Sequence, residues 1–150
     1  MKKITPKAKR NILHILIIAG GGVLEIGLAL LIYLGLYNGL EAMFYPNNPT
    51  DFPAGILRFV SGIVLFAVYI SLLWTKMPTF IKAMLSVAPN AVMTILIVLS
   101  HYESPVIFIG VSLLFVATSV LVIFKIKGSW LYYVGLGLGF AFGLIYALPR

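Results

Sequence analysis

The sequence predicts an all-α fold, a polytopic transmembrane bundle of about five helices. Three observations predict it. Of the 150 residues, 61% are hydrophobic and 10% charged, where a soluble domain carries roughly a quarter charged residues. The apolar residues gather in five blocks, each close to or above the roughly 20 helical residues that cross a bilayer. These blocks mostly lack the polar face, recurring every three or four residues, of a soluble amphipathic helix.

The chain begins with a basic tail, residues 1–11, holding Lys2, Lys3, Lys7, Lys9 and Arg10. Pro6 is expected to keep its start from forming a continuous helix. Residues 12–150 form a single transmembrane domain with helices at about 12–37, 54–74, 80–99, 106–124 and 130–148. The first apolar run is far longer than a signal-peptide core, and no small-residue cleavage site follows it, so an uncleaved anchor is expected. Residues 38–53 make the longest connection. Its aromatics suit the membrane interface, and its prolines, Pro46, Pro49 and Pro53, oppose a helix.

Basic residues resist translocation. With the N-terminus in the cytoplasm, Lys76, Lys82, Lys125 and Lys127 join the basic tail inside. Arg58, Arg150, Glu41, Asp51 and Glu103 fall outside, so the C-terminus is expected outside as well. The expected location is the cytoplasmic membrane of a prokaryote, as a multi-pass protein. The formal charge of +7 is thus a topology signal rather than a phosphate-binding surface, and no nucleic-acid partner is expected. Cysteine is absent, which excludes thiol redox chemistry and thiolate metal sites.

Glu25 lies near the middle of the first helix, where an ionised carboxylate must be paired, hydrated or neutralised. Gly20, Gly21, Gly22 and Gly27 surround it. The segment Ala19–Gly27 resembles the small multidrug transporters, which also place an essential glutamate in a glycine-containing first helix. That resemblance implies a proton- or cation-coupled role for Glu25. The chain departs from that family in its fifth helix and its long aromatic connection.

The third helix carries Lys82, Ser86, Asn90 and Thr94 at four-residue intervals, hence on one winding stripe. Pro89 lies inside the stripe and cannot donate to the Leu85 carbonyl, which leaves that acceptor available to a side chain, water or ion. Glu25, Ser86, Asn90 and Thr94 form a candidate intramembrane polar site between helices one and three. The alternative is ordinary interhelical hydrogen bonding, worth about 1 kcal/mol per contact.

Gly135, Gly139 and Gly143 form a small-residue stripe for close helix packing. Gly27, Gly35 and Gly39 offer a complementary face in the first helix. Tyr132 and Tyr146 flank the stripe near the two interfaces. At the outer surface, Asp51, Arg58, His101 and Glu103 form a weaker cluster, for which a solvated loop is the plainer account. His14 and His101 sit at opposite ends of the bundle, too far apart for a bis-histidine haem. No catalytic, phosphate-binding or metal-ligating signature occurs, and no cofactor is expected.

Three functions remain. The first is a non-catalytic accessory or assembly subunit, packing through glycine-rich faces into a homo-oligomer or larger membrane complex. The second is a small proton- or cation-coupled transporter or channel using Glu25. The third is a membrane-embedded enzyme acting on lipid at the outer surface.

Overall fold

The computed structural model describes residues 5–47, 52–101 and 103–147. All regular structure among them is helical: α1 (Pro6–Phe44), α2 (Ala54–Leu73), α3 (Thr79–Met84), α4 (Val87–Ser100), α5 (Pro105–Lys125) and α6 (Trp130–Ala147). Taking α3 and α4 together, five segments are long and apolar enough to cross a bilayer.

The first helix is longer than its apolar block. Thr5 accepts a hydrogen bond from the Ala8 N–H at 3.4 Å, and Pro6 opens the helix. Proline is tolerated there because the first-turn N–H has no helical acceptor. The basic residues from Lys7 onward are therefore helical, and the helix begins earlier than the expected start near residue 12. At the other end the helix continues to Phe44, past the expected limit near Tyr37, and stops just before Pro46. Tyr37 and Tyr45 both pack edge-on against Phe52, tying the end of α1 to the approach to α2.

The third predicted helix is broken. Residues 85 and 86 form a turn between α3 and α4. Pro89 supplies the cause: it lacks the N–H that would bond the Leu85 carbonyl, and its ring crowds that carbonyl. The Ser86 N–H instead reaches the Ala83 carbonyl at 3.3 Å, a tighter turn.

This broken helix is the centre of the molecule. In its most apolar stretch 56% of Thr79–Ser100 is buried, against 11% for the corresponding stretches of α1, α2 and α5. Gly135, Gly139 and Gly143 meet Ala83, Val87 and Ala91 in ascending order, so α6 runs parallel to α3–α4. His14 stacks on Phe80 and Gly22 abuts Val87, so α1 is parallel too. Gly62 abuts Val92 and Leu96, while Tyr69 reaches Ser86, so α2 is antiparallel. Ile18, Ala83, Val87, Ile123, Leu131, Tyr132 and Leu136 form the apolar core. Tyr132 thus belongs to the core rather than to an interface, whereas Tyr146 is exposed.

One end of the bundle collects the start of α1, the α2–α3 connection and the α5–α6 connection, hence Lys7, Lys9, Arg10, Lys76, Lys125 and Lys127. The opposite end holds Glu41, Arg58 and Glu103.

Candidate functional site

A helix start leaves several backbone N–H groups without helical acceptors. In α4 that start lies inside the bundle. Ser86 occupies the capping position but makes no capping bond; its hydroxyl donates to the Ala83 carbonyl at 2.6 Å. The acceptor comes from another helix. Glu25 Oε2 of α1 accepts from the Ala88 N–H at 3.2 Å. A carboxylate at this position meets both a free donor and the positive end of the α4 dipole.

The surroundings bring further polar groups. Tyr69 of α2 is buried and lies near Ser86. Its role was missed in the sequence, where it reads as one more aromatic in an apolar run. Four elements therefore converge on the break: α1 through Glu25, α2 through Tyr69, the α3–α4 turn through Ser86, and α6 through Gly135, whose backbone rests on Ala83 and Ser86.

The rest of the polar stripe faces elsewhere. Asn90 donates to the Ser86 carbonyl at 2.7 Å, and Thr94 donates to the Asn90 carbonyl at 2.8 Å. Neither bonds Glu25. Both are buried beneath α6: a Cβ at Gly139 would lie 2.7 Å from Asn90 Cβ, and one at Gly143 would lie 2.6 Å from Thr94 Cβ. Glycine there allows the α6 backbone to rest directly on α4. The expected pocket joining Glu25 to Asn90 and Thr94 is thus replaced by a contact to the backbone of α4. The expected complement to the glycine stripe is replaced as well. A Cβ at Gly27, Gly35 or Gly39 would meet nothing among the described residues, and α4 occupies the stripe.

Lys82, expected as a topology signal, also makes specific hydrogen bonds. It is 9% exposed, and its Nζ donates to the carbonyls of Leu73 at 2.7 Å and Thr75 at 2.5 Å. A cation there satisfies carbonyls at the end of α2 and complements its dipole.

At the opposite end, His101 and Glu103 line a shallow open depression with Leu99, Ser100, Ser104 and Ile107. The His101 ring is engaged with the Ile97 carbonyl at 3.1 Å. Arg58 does not line the depression, and Asp51 lies outside the described residues. Among the described residues, no group of three histidines, cysteines or carboxylates is arranged to hold a metal.

Comparison with protein-family models, curated proteins and solved structures returns no match. The resemblance of Ala19–Gly27 to the small multidrug transporters thus finds no support in these comparisons. Fold and site chemistry carry the functional reading.

Proposed function

We propose that this chain is a non-catalytic accessory or assembly subunit, docking through α1 into a homo-oligomer or larger membrane complex. In this reading the basic end faces the cytoplasm of a prokaryote. The observation that carries it is the difference between the two glycine faces. Gly135, Gly139 and Gly143 of α6 are consumed within the chain, whereas a Cβ at Gly20, Gly27, Gly35 or Gly39 would meet nothing among the described residues. At about 100° per residue, Gly20, Leu24, Gly27, Leu31 and Gly35 share one side of α1, opposite Ile18, Gly22 and Glu25. That side combines small residues with the exposed Leu24 and Leu31, the arrangement by which membrane helices interdigitate at close range.

The test is purification in mild detergent with mass analysis of the intact assembly. The wild-type chain is expected to carry a partner or a second copy. Gly27→Leu/Gly35→Leu is expected to lose it while melting like the wild type. A wild-type chain that runs as a lone monomer, or a variant that retains its partner, would overturn the reading.

A second reading has its own support. Helices broken within a membrane, with an acidic group at the break, are a construction transporters use for substrates and coupling ions. Glu25 at the start of α4 favours such a role. It requires a proton- or cation-dependent flux in liposomes that Glu25→Gln abolishes.

A further inference from the structure

The α5–α6 connection contains the one described non-glycine residue with positive φ. Lys127 has φ of 50°, in the left-handed region that side chains rarely adopt. The turn is a Schellman closure of α5: the Lys127 N–H donates to the Phe124 carbonyl at 3.0 Å, and the Gly128 N–H donates to the Ile123 carbonyl at 2.9 Å. Glycine usually occupies the left-handed position of that motif. Here glycine comes one residue later, and a lysine takes the strained place. Non-glycine residues held in such conformations cluster at ligand-binding and switch sites.

Its surroundings give the strain a direction. Phe124, Lys125, Lys127, Gly128 and Tyr133 line an open depression beside the turn. Phe124 is 73% exposed, and Ile126, Trp130 and Tyr133 also present large exposed surfaces. The depression is therefore apolar on its helical walls and cationic at its mouth. Lys7, Lys9, Arg10 and Lys76 add positive charge at the same end. The described carboxylates lie elsewhere, Glu25 midway along α1 and Glu41 and Glu103 at the opposite end.

We propose that this turn binds an anionic phospholipid, with Lys125 and Lys127 flanking its phosphate and Phe124 and Tyr133 lying along its acyl chains. Charge complementarity selects an anionic headgroup. The exposed aromatics at the membrane boundary select a lipid over a soluble phosphate, because they offer surface that only an acyl chain covers. The site is independent of the docking face on α1.

The test titrates detergent-purified protein with phosphatidylglycerol, phosphatidylcholine or glycerol 3-phosphate, following bound lipid by native mass spectrometry and the melting temperature. Phosphatidylglycerol is expected to bind and to raise the melting temperature, and the other two are not. Lys125→Gln/Lys127→Gln is expected to weaken phosphatidylglycerol binding about 25-fold, from roughly fivefold per lysine near an anionic surface. Lys127→Gly relaxes the backbone while removing one charge, so it is expected to melt no lower than the wild type yet bind about fivefold more weakly. Lys7→Gln/Lys9→Gln is expected to weaken binding far less than the paired change in the turn. Equal binding of phosphatidylcholine, or glycerol 3-phosphate binding as tightly as the lipid, would overturn the proposal. So would unchanged binding in both turn variants, or an equal loss in Lys7→Gln/Lys9→Gln.

Discussion

Glu25 has a peptide N–H, rather than a side chain, as its hydrogen-bond partner. Its contact with Ala88 makes it a cap supplied by one helix to another. Replacing a capping acceptor with an apolar residue costs about 0.5–2 kcal/mol. Glu25→Leu is therefore expected to lower the melting temperature in detergent. Glu25→Gln keeps a carbonyl oxygen in reach of the same N–H and is expected to melt close to the wild type. If Leu and Gln melt alike, the contact stabilises nothing. The depth of Glu25 was legible in the sequence, since a carboxylate inside an apolar block stands out. Its partner was not. Asn90 and Thr94 lie at a suitable depth, but Asn90 donates to the Ser86 carbonyl and Thr94 to the Asn90 carbonyl, both within the broken third helix. The bonds of Lys82 were hidden for a related reason: its acceptors are the backbone carbonyls of Leu73 and Thr75, which no residue type announces.

At the scale of the element, Pro89 made the weak point of the third helix visible in advance, because a missing N–H affects the carbonyl four residues earlier. The extent of α1 was less visible. Prolines can mark where a helix begins as well as where it fails, and Pro6 belongs to the first kind. The stripe on α6 was legible as a close-packing face, but four-residue spacing does not identify the neighbour. The neighbour is α4, and the packing is tight: a Cβ on Gly139 would lie 2.5 Å from the Val87 carbonyl oxygen. Gly139→Leu is expected to destabilise the fold by at least about 1–3 kcal/mol, the usual cost of overpacking. Gly137 shares the same helix but has open space beyond its Cα. Gly137→Leu is thus expected to be neutral or slightly stabilising, as helix propensity favours leucine. Equal melting temperatures for the two variants would show that the α4–α6 contact is looser than it looks.

For the whole molecule, the basic end and the mixed end make the orientation testable. The chain contains no cysteine, so single cysteines can be introduced without background. Cysteines at Lys7 and Lys127 are expected to react with a membrane-impermeant reagent only after cells are opened, and one at Glu103 is expected to react in intact cells. The reverse pattern would invert the orientation, and labelling of all three positions from one side would break the five-crossing arrangement. The helices also differ in length in a way that bears on the surrounding bilayer. The 20 residues of α2 span about 30 Å, matching an ordinary hydrocarbon core. The apolar stretch of α1 from Ile12 to Tyr37 covers about 39 Å at the same rise. One protein thus presents two hydrophobic lengths to one membrane. To fit a 30 Å core, α1 crosses obliquely, at roughly 40° to the normal, or the lipid beside it thickens. Mismatch on this scale gives the bundle a preference among membranes of different thickness, carried by a single helix while the other four stay within the ordinary range.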